Sequence, residues 1–224
     1  MSPWSGTLAA LPRPKAVLFD WDNTLVDSWA TIHDALNFVM AAMDKPLWSL
    51  AETKEKVRLS LRESFPLHFG DRWEEARAIY LEKFRAIHLQ RLSPLQGREI
   101  MLRRLAEEGL YLGVVSNKTG AMLRREVDHL GWGGFFGRVV GAGDCAADKP
   151  ACDPVHLALN GSDAIAGEEV WFVGDTAVDM ECALASGCVP VLLGDGADTD
   201  EFARFAPRLA FADGESLFRS LPQV

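Results

Sequence analysis

Short apolar runs that stop abruptly on reactive side chains constrain this chain more than any other feature. "KAVLF" (15–19) halts on Asp20 and Asp22, and "YLGVVS" (111–116) runs into Ser116, Asn117 and Lys118. "VWFVGD" (170–175) halts on Asp175, with Asp179 four residues on, and "VPVLLGD" (189–195) is a fourth such run. "FFGRVVGAGD" (135–144) reads as a fifth, weakened by its glycines. Compact apolar runs of this length, bounded by turn residues or charge, predict buried strands. Helical patterns lie between them. "REIMLRRLAEEGL" ends at Gly109, "AMLRREVDHLG" at Gly131 and "AVDMECALASG" at Gly187. "DPVHLALNG" opens on Asp153-Pro154, an expected N-cap and N1 proline. Apolar strands alternating with helices imply an α/β fold, a parallel sheet with helices on both faces.

One interval breaks the rhythm. From Ser28 to about Pro94 no strand-like run occurs, and the pattern is helical: "SWATIHDALNFVMAAM", "AETKEKVRLSLRESF" and "DRWEEARAIYLEKFRAIHLQRL". At roughly 65 residues this far exceeds an ordinary connection of a few residues. The expectation is a helical insert over 28–93, placed directly after the first strand, with the α/β core formed by 1–27 and 94–224. Ile32, Ala35, Leu36, Val39 and Met40 form an apolar stripe that packs the insert. Asp27-Ser28 is expected to cap its first helix.

In an open parallel sheet, ligands bind beyond the carboxyl ends of the strands. The topology therefore gathers Asp20, Asp22, Thr24, Ser116, Asn117, Asp175 and Asp179 at one edge, with Lys149 from the loop "DCAADKP". Strand alternation puts Asp20 and Asp22 on one face and turns Trp21 away into packing. Two carboxylates about 4 Å apart cost roughly 4 kcal/mol at an effective dielectric of 20. A hard divalent cation relieves that cost, and Mg²⁺ typically takes one or two carboxylates, substrate phosphate and water. Lys149 adds positive charge, and Ser116 with nearby backbone amides suits phosphate oxygens. A carboxylate held beside a metal and a phosphate can act as a nucleophile.

"DWDNT", "VVSNK", "DKP" and "GDTAVD", in this order, resemble the four motifs of the haloacid dehalogenase superfamily of phosphohydrolases, over roughly 15–193. The helical insert resembles that family's C1-type cap, and the core its Rossmann-like sheet. "DNTLVDS", "GVVSNK", "GAGD" and "KPACDPVHLAL" are similar to the phosphoglycolate phosphatase-like subgroup. The resemblance implies Mg²⁺-dependent hydrolysis of a small phosphate monoester through an aspartyl-phosphate. It makes Asp20 the nucleophile and a metal ligand. Asp22 becomes general acid and then base, with its backbone carbonyl on the metal. Thr24 helps orient these groups, Ser116 holds the phosphoryl group with Asn117 beside it, and Lys149 neutralises charge. Asp175 ligates the metal, and Asp179 supports it through water or fixes Lys149. Dehalogenases of the superfamily typically lack an aspartate at position 22, so its presence favours transfer to water. The family usually has glycine where Asn23 stands. Asparagine is among the few residues that tolerate positive φ, so the turn is expected to survive. Cys152 and Asp153, before Pro154, should be neutral for chemistry.

Substrate choice is expected in the cap. Arg62 is the residue expected to reach a distal anionic group on the substrate, with Arg58 second. The arginine pairs 103–104 and 124–125 read as solvated helix faces. His33, His68, His88, His129 and His156 show no ligand spacing and read as packing or surface residues. Cys145, Cys152, Cys182 and Cys188 show no metal pattern and are expected to be reduced thiols. A net charge of −9 argues against nucleic acid or an anionic membrane as main partner. No run approaches a membrane span, and "LAAL" is too short for a signal core, so a cytoplasmic protein is expected. A phosphomutase, or a phosphatase for nucleotides, sugar phosphates or pyrophosphate, is the alternative within the same fold. A receiver-type phospho-accepting module is disfavoured by the insert. Oligomeric state is left open.

Overall fold

The computed structural model describes residues 11–57, 59–194 and 200–222. Its centre is Ala16–Phe19 (β1), buried along its whole length. Tyr111–Thr119 (β4) and Val170–Gly174 (β6) flank it as parallel partners, with Phe19 level with both Val114 and Val173. Arg138–Ala142 (β5) extends the sheet beyond β4, and Val189–Leu193 (β7) and Leu209–Phe211 (β8) extend it beyond β6. The order is therefore β5-β4-β1-β6-β7-β8, all parallel. Alternate residues of the central strands face opposite layers. Val17, Phe19, Trp171 and Val173 join one apolar cluster, while Leu18, Val170 and Phe172 join the other. Burial on both faces is why these strands read as unbroken apolar runs.

Arg98–Glu107 (α5), Gly120–His129 (α6), Asp153–Leu159 (α7), Ala177–Ala185 (α8) and Gly214–Arg219 (α9) cover the sheet. The five expected strands are present, and α5, α6 and α8 stop just before the expected glycines. β8 and α9 were not expected. A three-residue strand and a six-residue helix are too short to show periodicity, although Asp213 and Ser216 form a capping box that marks the start of α9.

Between β1 and β4 the chain leaves and re-enters through Val26–Asp27 (β2) and Ser93–Pro94 (β3), a short antiparallel pair. Trp29–Ala42 (α1), Leu50–Lys56 (α2), Leu61–Phe69 (α3) and Trp73–Arg91 (α4) lie between them. The stripe Ile32, Ala35, Leu36, Val39 and Met40 packs with Phe65, Phe69, Tyr80 and Phe84, and Met122 of α6 joins this cluster. The expected single helix over "AETKEKVRLSLRESF" is two, α2 and α3. Val57 is extended, and Ser60 adopts the extended N-cap conformation that starts a new helix. Two expected caps also differ. Ser28 stands at the N-cap of α1, but its hydroxyl makes no capping bond; the Trp29 N–H donates to the Asp27 carboxylate instead. Asp153 lies inside the first turn of α7, and Cys152 occupies the N-cap.

Candidate active site

The carboxyl ends of β1, β4 and β6 converge where the chain departs from β1 to both sides, the switch point of an open sheet. Asp20 follows β1 directly and is held by its N–H donating to the Val173 carbonyl at 2.8 Å. Lys149 Nζ donates to Asp20 Oδ1 at 2.6 Å and to Asp179 Oδ1 at 2.7 Å. All three side chains are buried. The other oxygen of Asp179 accepts from the Thr176 N–H at 3.0 Å and hydroxyl at 2.7 Å, which fixes it at the start of α8. Gly174 makes this approach possible: a Cβ there would sit 2.3 Å from the Asp179 carboxyl carbon. Asp175 Oδ1 accepts from the Thr24 hydroxyl at 2.9 Å.

Oxygen atoms of Asp20, Asp175 and Asp179 lie within 4.8 Å of one another. Of these three, Asp20 and Asp179 meet the Lys149 ammonium, and Asp175 has the Thr24 hydroxyl instead. Burial drives the Asp20 carboxyl up to about 7; Lys149 opposes this, and Asp179 and Asp22 add to it. Burial, with the charges of Asp20 and Asp179, holds Asp175 well above the usual carboxylate range. Burial pulls the Lys149 ammonium down, but Asp179 and Asp20 outweigh it and the net displacement is upward. A close set of hard oxygen donors with charge to spare fits a divalent cation.

Asn117 and Arg62 serve contacts other than the expected ones. The Asn117 amide brackets the main chain of Lys149: the Lys149 N–H donates to Oδ1 at 3.0 Å, and Nδ2 donates to the Lys149 carbonyl at 3.1 Å. Its side chain therefore positions the lysine. Arg62 does not line the cleft. Its guanidinium grips Asp148 through two nitrogens, each at 2.5 Å, and reaches the Cys145 carbonyl at 3.4 Å. Asp148 is almost fully buried, and Arg62 supplies the opposite charge that a buried carboxylate needs. Arg58 lies outside the described residues. Ser116 is buried at the cleft floor, and its hydroxyl accepts from the Lys118 N–H at 3.2 Å. The roof is apolar, with Trp29, Ile32, Leu61, Tyr80 and Phe84 from the inserted helices.

Asn23 has φ of +64°, the turn expected of it, and its side chain accepts from the Ser28 N–H at 3.2 Å. Trp21 is buried against Trp132, as alternation requires. Asp22 has a partner that was not anticipated. Lys118 Nζ donates to Asp22 Oδ1 at 2.6 Å and to Glu126 Oε2 at 2.6 Å. Glu126 Oε2 also accepts from Trp21 Nε1 at 2.7 Å, and its other oxygen lies 2.7 Å from His88 Nδ1. Burial pulls the Lys118 ammonium down, but Asp22 and Glu126 raise it further. Burial likewise raises Glu126, but Lys118 and its hydrogen-bond donors bring the carboxyl below its ordinary range. A signal for Glu126 exists in "AMLRREVDHL", where it stands in the stripe with Met122, Leu123 and Val127, a charge on a buried face.

The family model described as haloacid dehalogenase-like hydrolase matches residues 17–192. The phosphoglycolate phosphatase of Rhodospirillum rubrum is 31% identical over 217 residues, covering 91% of this chain and 89% of that one. The phosphoglycolate phosphatase of Cereibacter sphaeroides is 32% identical over 190 residues, covering 80% and 85%. A haloacid dehalogenase-like family hydrolase from Streptococcus pneumoniae shares the fold with a TM-score of 0.82 at 22% identity, covering 93% and 99%. With the sheet-edge carboxylates in place and most of its length matched, the chain belongs to the haloacid dehalogenase-like hydrolase family.

Proposed function

We propose that this chain is a Mg²⁺-dependent phosphatase that cleaves a small phosphate monoester through an aspartyl-phosphate on Asp20. The observation that carries the reading is the meeting of Asp20, Asp175 and Asp179 at the sheet's switch point, with Lys149 on Asp20 and Asp179. Asp20 attacks phosphorus through a carboxylate oxygen while the bond to the ester oxygen breaks. Asp22 gives its proton to that departing oxygen. Water then attacks phosphorus, Asp22 takes a proton from it, and the bond to Asp20 breaks to release inorganic phosphate. Ser116 and Lys149 hold the phosphoryl oxygens. Thr24 orients Asp175, and Asn117 orients Lys149. Asp20, Asp175, the Asp22 carbonyl and, through water, Asp179 are the groups that would hold Mg²⁺. Bound there, the cation would neutralise charge on phosphate and carboxylates and so make nucleophilic attack by an anion feasible.

The segment 28–93 is read as a cap domain on the core 1–27 and 94–224, since its helices roof the cleft and water must be kept from the intermediate. Phosphoglycolate is the first substrate to test, because the relatives named above carry it in their names. Asp20→Asn should abolish phosphate release from p-nitrophenyl phosphate in the presence of Mg²⁺. Activity that survives this change removes Asp20 as the nucleophile.

A further inference from the structure

We propose that Lys118 positions Asp22 for proton transfer at the leaving-group oxygen, and that Glu126 fixes Lys118; this rests on the phosphatase reading above. Among the described residues Lys118 is the one side chain that hydrogen-bonds Asp22, whose own side chain is 19% exposed. A lone carboxylate beside a cleft is free to rotate, whereas proton transfer needs its oxygen about 2.6–3.2 Å from the reacting atom. Lys118 has no such freedom. Its ammonium is buried between Asp22, Glu126 and the ring of Phe84, 5.0 Å from the ring centre. Glu126 is fixed in turn by Trp21 on one oxygen and His88 on the other. The chain of contacts therefore runs from α4, through Glu126 of α6, to the residue two places beyond the nucleophile. Lys149, not Lys118, meets Asp20. Loss of Lys118 should accordingly hinder the step that needs the Asp22 proton and largely spare attack by Asp20.

Leaving groups of different basicity read that difference. p-Nitrophenyl phosphate departs without much help from an acid, and phenyl phosphate needs the proton. In Lys118→Met, kcat/KM, which reads only the steps up to departure of the leaving group, should fall roughly 10- to 100-fold for phenyl phosphate and less than about threefold for p-nitrophenyl phosphate. The double variant Lys118→Met/Glu126→Gln leaves no unpaired buried carboxylate, and it decides the matter if the single variant does not fold. Asp22→Asn should show the same split in kcat/KM in the native background, while its turnover of both esters stalls at the intermediate. Equal loss on both esters, or no loss on either, overturns the proposal and makes Lys118 a structural residue. If the native chain is active, Asp20→Asn is inactive and the ester ratio does not move, the proposal alone falls. If the native chain hydrolyses neither ester, the phosphatase reading falls and takes the proposal with it.

Discussion

Asp20 is a carboxyl whose folded environment favours its proton, the reverse of the usual salt-bridged aspartate. Held at about 7 by burial, it keeps a proton that the unfolded chain has released from about pH 4 upward. The folded state then binds more protons than the unfolded state across that window, so metal-free stability falls as pH rises from about 4 to about 7. Asp175 is displaced the same way and adds to the slope. Mg²⁺ competes with those protons, so its stabilising effect should grow over the same range. Thermal melts at both ends of the range, with and without Mg²⁺, measure this; a metal effect that is larger at the acid end would contradict it. Asn23 supplies a second test at this scale. Its φ of +64° is poorly tolerated by residues with an ordinary side chain. Asn23→Ala should cost about 1 kcal/mol, seen as a fall in Tm of roughly 2–4 °C. Asn23→Gly keeps the backbone and should cost less.

Among the helices, α3 ties the inserted segment to the loop that carries Lys149, through Arg62 and Asp148. The guanidinium is about one-third exposed, which limits what the pair contributes to about 1 kcal/mol. Arg62→Ala should lower Tm by roughly 2–4 °C and leave the KM for a phosphate ester that bears a second anionic group within about twofold, because Arg62 does not line the cleft. A KM raised tenfold with an unchanged melt would return Arg62 to substrate binding. α4 and α6 meet at His88 and Glu126, the second tie between the insert and the sheet. No helix among the described residues is long and apolar enough to cross a membrane.

Across the whole molecule, what was legible in the sequence is what the sheet dictates. Strands buried on both faces must be apolar throughout, so β1, β4, β6 and β7 announce themselves, and the residues just past each strand necessarily share one edge. The same rule places Asp20, Asp175, Asp179 and Lys149 at one edge, where they meet. Contacts between elements far apart in the chain were not legible, because no local pattern encodes them. Glu126 reaches Trp21 and Lys118, and Arg62 turns to Asp148, only because helices pack as they do. β8 was lost for a different reason, since three residues cannot show a period. The central claim is that phosphate passes through Asp20, and it can be met directly. Asp22→Asn, given p-nitrophenyl phosphate and Mg²⁺ and quenched in acid, should carry a phosphoryl group, and peptide mass spectrometry should place it on Asp20. A native chain that turns over while Asp20 stays unmodified and the phosphoryl group appears on another residue, or on none, would contradict it.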